Sequence, residues 1–161
     1  LNSDRTHHTM SIKDVRECVA NGEELFVKPI EIKLFTGLVV DKWIISSLRD
    51  LDENLKVMCY EVFPFKILSE WRVYIHNNKI IESKNYSGDL FIVPSEEYIR
   101  SVINKYKDKF PCSYTIDVGI LENKSNVVIE FNDMWAIGNY GVPNDLYLRM
   151  LRDRYFEIIK T

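Results

Sequence analysis

The sequence predicts an α+β fold, and three observations carry that expectation. Segments rich in β-branched and aromatic residues are interspersed with segments whose apolar residues recur at helical spacing. Several of the strands are joined by turns too short for a parallel crossover, so they pair as antiparallel hairpins. The longest purely apolar runs, such as Leu38-Val39-Val40 and Val127-Val128-Ile129, are only a few residues, whereas a membrane-spanning helix needs about 20.

Composition narrows the function classes. The 161 residues are 46% hydrophobic and 28% charged, as in ordinary soluble domains. Twenty-one basic against twenty-four acidic side chains give a net charge of −3, which leaves no domain-wide basic field for a phosphate backbone and disfavours nucleic-acid binding. Cys18, Cys59 and Cys112 are widely spaced and form no CxxC pair, which suits reduced thiols and a cytoplasmic setting better than a disulfide framework.

Ser11 with Asp14 three residues on reads as a capping box, opening a short helix with Ile12, Val15, Cys18 and Val19 on its stripe and Asn21-Gly22 at its end. His7 and His8 before it lie in a polar tail, where disorder is the default. Leu25-Phe26-Val27-Lys28-Pro29 reads as a buried strand stopped by proline, Thr36-Gly37 as a turn, and Leu38-Val39-Val40 as the next strand. Asp41 is placed to cap a helix carrying Ile44, Ile45, Leu48 and Leu51. Residues 56–63 favour strand and end at Pro64.

Residues 71–75 and 79–81 flank a turn at Asn77-Asn78, with His76 a turn residue rather than a base. Pro94-Ser95-Glu96-Glu97 starts a helix that buries Tyr98, Ile99, Val102, Ile103 and Tyr106. Residues 114–121 and 127–132 form a hairpin around Glu122-Asn123-Lys124-Ser125. A last helix from about residue 145 is expected to bury Leu148, Leu151, Tyr155, Ile158 and Ile159, with Arg149, Arg152 and Arg154 on a solvated face. Trp71 and Trp135 are expected in the core.

The hairpin is the most informative segment. Alternation puts Glu130 and Asn132 on one strand face. With a four-residue turn, Leu121 pairs with Asn126 and Asp117 lies opposite Glu130, the Cβ atoms of such a pair being roughly 4.5–5.5 Å apart. Two carboxylates and an amide then converge, and their repulsion calls for a cation. An all-oxygen set suits Mg²⁺, which keeps waters and takes substrate phosphates as its remaining ligands. A solvated hairpin face paired with lysines elsewhere accounts for the same residues, although the apolar residues before Glu130 point to a central strand.

Lys28 ends a buried strand and Lys33 precedes Phe35-Thr36-Gly37. Lysines are point charges suited to phosphate oxygens, and a glycine beside them lets backbone N–H groups approach. Neither GxxxxGK[ST] nor GxGxxG is present, and lysines in such positions, taken singly, are more often surface residues than ligands. Tyr60-Glu61-Val62-Phe63-Pro64 could offer its backbone to an adenine edge or be a plain edge strand. Glu70 and Arg72 share a strand face, where a surface ion pair would be worth little.

In this order and spacing the pieces resemble the ATP-grasp family: Phe26-Val27-Lys28-Pro29 with Lys33 and Phe35-Thr36-Gly37, then Tyr60-Glu61-Val62, then Glu70-Trp71-Arg72-Val73, then Asp117 with Glu130-Phe131-Asn132. The sequence most resembles a small clade of predicted ATP-grasp ligases of bacteria and phages, over roughly residues 23–150. The resemblance implies two α+β lobes, with a mainly antiparallel sheet and ATP in the cleft between them. Residues 1–22 would then be a tail and short helix, 23–63 the smaller lobe and 64–161 the larger lobe with the metal-binding hairpin.

The resemblance further implies an ATP- and Mg²⁺-dependent ligase that joins a carboxylate to an amine or similar nucleophile through an acyl-phosphate. Its partner would be a small molecule or a peptide. Lys28 and Lys33 would contact ATP phosphates, Glu61 and Val62 would lie at the adenine, and Glu70 would belong to the nucleotide-binding set. Asp117, Glu130 and Asn132 would hold Mg²⁺. Arg72 would lie near the phosphates or the substrate carboxylate, making it and Lys28 the catalytic residues.

Three departures from the family pattern set further expectations. Little precedes Ser11 and the sequence does not start with Met, so a preceding lobe is expected elsewhere in the protein. The glycine-rich lid is reduced to Thr36-Gly37 and its neighbours. Asp133-Met134-Trp135 comes after Asn132 where the family has a Pro-Gly turn. The alternative is a nucleotide-binding module, or a degenerate ATP-grasp domain, without ligase turnover. A nucleic-acid nucleotidyltransferase is disfavoured, because Lys28-Pro29-Ile30-Glu31 does not match KxDG.

Overall fold

The computed structural model describes residues 7–31 and 34–160. They divide into two compact units, one ending at Pro64 and the other beginning at Phe65.

The N-terminal unit contains β1 (His7–Ser11), α1 (Ile12–Ala20), β2 (Leu25–Pro29), β3 (Leu38–Val40) and β4 (Lys56–Glu61). Its sheet has the order β1-β4-β2-β3, with every neighbouring pair antiparallel. The polar tail is thus a strand, His7 opposite Tyr60 and Ser11 opposite Lys56. Backbone pairing to the open edge of β4 makes no demand on side-chain polarity, which is why composition did not reveal it. Ser11 ends that strand and caps α1: its Oγ accepts from the Asp14 N–H at 3.1 Å, and its own N–H donates to Asp14 Oδ2 at 2.9 Å. Ile12, Val15 and Val19 of α1 pack with Val27, Val40, Leu48, Val57 and Cys59.

Asp41 does cap a turn, accepting from the Trp43 and Ile44 N–H groups at 2.8 and 2.7 Å. The turn leads only into a four-residue 3₁₀ segment, Ile45–Leu48, instead of the expected helix. Ser47 Oγ donates to the Ile44 carbonyl at 2.7 Å, and such local side-chain bonds compete with helix extension.

The C-terminal unit contains β5 (Ile67–His76), β6 (Lys79–Gly88), α2 (Glu96–Tyr106), β7 (Ser113–Leu121), β8 (Asn126–Asp133) and α3 (Asn144–Ile159). Its antiparallel sheet has the order β6-β5-β7-β8. Strands β5 and β6 are longer than predicted, and the turn between them places Asn77 and Asn78 at φ 48° and 59°, the left-handed region that Asn tolerates best after Gly. One sheet face packs Val73, Ile75, Ile116, Val118, Val128 and Phe131 against Ile99, Val102 and Ile103 of α2. On the other face Tyr74 packs with Met134, Val142 and Met150, partly covered by Leu146 and Leu151.

Helix α3 departs from its predicted stripe. Leu148, Tyr155, Ile158 and Ile159 are 61%, 43%, 39% and 57% exposed, while Met150 is buried. Polar contacts decide how the helix docks. Arg154 Nε donates to both oxygens of Asp133 at 2.9 and 3.0 Å, and Glu157 accepts from the Cys112 N–H. Arg154 is therefore a partnered residue, not part of a solvated face. Trp135 is 54% exposed and stacks on Tyr155, not in the core. His76 belongs to β5, with Nδ1 2.7 Å from Ser113 Oγ and Nε2 3.3 Å from Asp153.

Candidate functional site

The hairpin of β7 and β8 brings Asp117 opposite Glu130, although by a different route from the one predicted. The turn is one residue shorter: the Leu121 N–H donates to the Ser125 carbonyl, the Lys124 N–H to the Leu121 carbonyl, and Lys124 sits at φ 67°. That is a type I turn closed by a left-handed residue. Ile120, not Leu121, therefore pairs with Asn126, and this register runs to Val118 opposite Val128. A β-bulge then intervenes between Val118 and Asp117, and the extra residue, Ile129, advances β8 by one position. The bulge restores the pairing of Asp117 with Glu130, Ile116 with Phe131 and Thr115 with Asn132.

Strand β5 adds Arg72 directly opposite Asp117 on the other side of β7. Its guanidinium forks onto the carboxylate, Nε to Oδ1 at 2.8 Å and Nη2 to Oδ2 at 2.7 Å. Both side chains are buried, so this is not the weak surface pair expected for Arg72. Asn132 Nδ2 lies 3.5 Å from the same Oδ2. Burial disfavours the Arg72 charge, but the Asp117 carboxylate outweighs it and holds the guanidinium protonated. Burial pushes the Asp117 carboxyl up, Arg72 pulls it back, and the Glu130 charge adds to the rise. One arginine thus faces two carboxylates and does not fully compensate them.

Aromatic rings enclose the arginine. Its Cζ is 4.6 Å from the Tyr140 ring centroid and 5.6 Å from that of Tyr86. Tyr86 also donates its hydroxyl to Glu70 Oε2 at 2.9 Å, which ties Glu70 into the same group. Burial, with the Asp117 and Glu70 charges adding to it, pushes the Tyr86 phenol well above its ordinary value.

The donor set is compatible with a hard cation. Asp117, Glu130 and Asn132 offer oxygen alone. Thr115 Oγ1, on the residue opposite Asn132, is buried without a hydrogen-bond partner among the described residues. A cation that keeps part of its water shell could satisfy such a hydroxyl through a bound water. Among the described residues no three His, Cys, Asp or Glu side chains gather in metal-binding geometry, the third donor here being an amide.

The remaining predicted residues belong to the N-terminal unit. Lys28 lies on β2 opposite Met58, its Nζ 5.6 Å from the Tyr60 ring centroid. It lines an open groove of about 770 Å³ with Pro29, Phe35, Thr36, Gly37 and Met58. A Cβ at Gly37 would fall 2.7 Å from Phe26 Cζ and 3.3 Å from Lys28 Cβ, so only glycine lets the loop lie this close to the strand. Glu61 ends β4 opposite Leu25, and Val62 comes next, at the end of the unit. Lys33 lies outside the described residues.

The structure therefore gathers Glu70, Arg72, Asp117, Glu130 and Asn132 in one sheet. Sequence reasoning missed Tyr74, Tyr86, Tyr140 and Thr115, all of which are aligned with or pressed against that group. Gly138-Asn139-Tyr140-Gly141 carried a turn signal but no hint of which side chain it would meet.

Comparisons with known proteins agree with this fold. No curated protein matches the chain. A structure of the ATP-grasp ligase PsnB with minimal precursor, Mg and ADP superposes with a TM-score of 0.60 at 14% identity, over 93% of this chain and 53% of that one. The macrocyclase MdnC bound with precursor peptide MdnA, from Microcystis aeruginosa MRC, gives 0.57 at 13% identity, over 89% of this chain and 53% of that one. N5-carboxyaminoimidazole synthetase from Staphylococcus aureus, complexed with ADP, gives 0.57 at 13% identity, over 94% and 47%. The chain spans about half the length of these proteins. Its own residues 5–150 match the pattern of an ATP-grasp domain, the second family of its clade, and the chain accordingly belongs to the ATP-grasp domains.

Proposed function

We propose that the protein is an ATP- and Mg²⁺-dependent ligase that activates a carboxylate as an acyl-phosphate and passes the acyl group to an amine or similar nucleophile. The observation that carries this is the cross-strand set of Asp117, Glu130 and Asn132, with Arg72 forked onto Asp117. In the first step the substrate carboxylate oxygen attacks the γ-phosphorus and ADP leaves. In the second the nucleophile attacks the acyl carbon and phosphate leaves.

Asp117, Glu130 and Asn132 would hold the Mg²⁺, which when bound supplies neutralisation of charge on the transferring phosphoryl group. Lys28, with Lys33, supplies positive charge to the phosphates, and Glu61, Val62 and Glu70 complete the nucleotide-binding set. The Nη1 of Arg72 makes no hydrogen bond to the described residues, so that edge can meet an anionic oxygen of the substrate or the phosphate. Positioning and charge account for the rate without a side-chain nucleophile. The substrate would be a small molecule or a peptide; MdnC was solved with a precursor peptide. A cytoplasmic setting, where nucleotide is abundant and thiols stay reduced, belongs to the same proposal.

A second reading, a nucleotide-binding module without turnover, draws on Arg72 itself: a guanidinium committed to Asp117 through two bonds has only one edge left for catalysis. The test is calorimetric titration of ATP and ADP with and without Mg²⁺, followed by a screen of carboxylates and amines for phosphate release. Metal-dependent binding with acceptor-dependent phosphate release supports the ligase. Binding without release across the screen favours the module, and the absence of metal-dependent binding rules out both.

A further inference from the structure

Tyr74 is fully buried, yet its hydroxyl is not spent in the core. It donates to the Gly138 carbonyl at 2.9 Å and accepts from the Tyr140 N–H at 3.1 Å. One phenol thereby grips the backbone on both sides of Asn139. The Asn139 side chain grips the other side of the loop, Oδ1 accepting from the Gly141 and Val142 N–H groups at 3.0 and 2.7 Å and Nδ2 donating to the Val142 carbonyl at 2.9 Å. Gly141 takes φ +89°, a turn that an L side chain would resist. These short bonds and a glycine fix the loop, and their product is the place of one ring.

That ring is Tyr140. Although 51% exposed, it lies over Arg72 at 4.6 Å and stacks against Tyr86, centroids 5.8 Å apart and planes 22° from parallel. The guanidinium fork onto Asp117 is planar, so a ring against its face restricts the one rotation that would swing the fork off the carboxylate. Tyr74 and Arg72 are alternate residues of β5, and so the strand that carries the arginine also carries the anchor of the ring.

We infer that Tyr140, seated by the Tyr74 hydroxyl, is a positioning residue: it holds the Arg72 fork in place and, through it, orients the Asp117 carboxylate toward the metal. The inference rests on the reading of Asp117 as a metal ligand. The ring face does the work, not the Tyr140 hydroxyl, and Tyr140→Phe therefore retains it. Tyr140→Ala loses it, and Tyr74→Phe, which removes only the anchor, loses part of it.

The experiment has two readouts on the full chain. Hydrogen exchange at Arg72 Nε–H, followed by NMR without nucleotide or metal, reports the fork directly. Tyr140→Ala is expected to accelerate it by roughly three- to thirtyfold, the opening that loss of a desolvated cation–π contact permits, and Tyr74→Phe by less. Calorimetry with ADP and Mg²⁺ reports the consequence: the metal-dependent gain in affinity falls by roughly tenfold in Tyr140→Ala, as for residues that orient a ligand, and returns in Tyr140→Phe. Unchanged exchange in Tyr140→Ala overturns the proposal. So does accelerated exchange with undiminished metal-dependent binding. A wild type that shows no metal-dependent binding, while exchange responds as expected, overturns the metal reading and with it the orienting role, leaving the ring's hold on Arg72 as the part established.

Discussion

Asp117 faces Glu130 only because Ile129 is bulged out of β8; without that extra residue the register set at the turn would put Asp117 opposite Ile129. A bulge at this point re-aims one side chain, which is a common use of the device beside functional sites. Glu130 is half-buried and Asp117 fully so, with Asp117 tied to Arg72 as well. The two carboxylates should therefore respond differently to neutralisation. Glu130→Gln is expected to lower metal-dependent nucleotide affinity by roughly 10- to 100-fold while moving the urea unfolding midpoint little. Asp117→Asn lowers both, since it leaves a buried guanidinium half-paired. Calorimetry beside urea unfolding checks this, and a Glu130→Gln protein that loses stability but keeps its affinity contradicts it.

The buried fork itself makes a prediction about stability. Removing one partner of a buried ion pair typically costs about 3–5 kcal/mol, whereas replacing both with apolar residues of similar volume is often close to neutral. Arg72→Met and Asp117→Leu are each expected to fall in that range, and the double variant to recover most of the loss. Metal-dependent binding stays absent in all three. Non-additive urea midpoints across the four proteins establish the coupling; additive losses would mean that the two residues stabilise the sheet independently.

Lys28 can be separated from the rest by ligand choice. Its proposed partner is phosphate, and a charge-assisted hydrogen bond contributes about 1.5–3 kcal/mol. Lys28→Ala should weaken ATP and ADP by a factor of tens and leave adenosine unchanged. Stability should hold, because the apolar side of β2 is carried by Leu25 and Val27. Equal losses for adenosine and ATP would assign Lys28 to the packing of the sheet around Tyr60 and Phe26 instead.

How far the sequence was legible depends on the range of each signal. Local chemistry was readable: the Ser11–Asp14 capping box, the Asn77-Asn78 turn and the Ser95 cap of α2 all lie within a few residues of the features that reveal them. The Asp117–Glu130 pair was reached through two register differences that cancel, the shorter turn and the bulge, neither of which leaves a mark in hydrophobic alternation. Arg72 and Asp117 are 45 residues apart, and only the topology β6-β5-β7-β8 makes them neighbours. The stripe on α3 misled because the helix docks through Arg154 and Glu157 as well as Met150. Apolar spacing reports burial only where apolar burial decides the docking.

That polar docking gives α3 an acid limit. Hydrogen bonds from Arg154 hold the Asp133 carboxyl below its ordinary value of 3.8, against the opposing effect of burial. For Glu157 burial pushes up, but the Cys112 and Arg154 contacts together bring it below 4.5. Both carboxyls are depressed in the folded state, so the unfolded chain binds more protons in the window below those values. Their contribution is fully present above about pH 4.5 and is lost as pH falls through the lowered folded values, beneath 3.8. Arg154→Met removes the shared partner. Its stability at neutral pH is expected to be lower than wild type and its decline on acidification shallower, so the two curves converge in acid. Urea midpoints measured from neutral pH down through that window check the sign, and curves that stay parallel would place the acid limit elsewhere in the molecule.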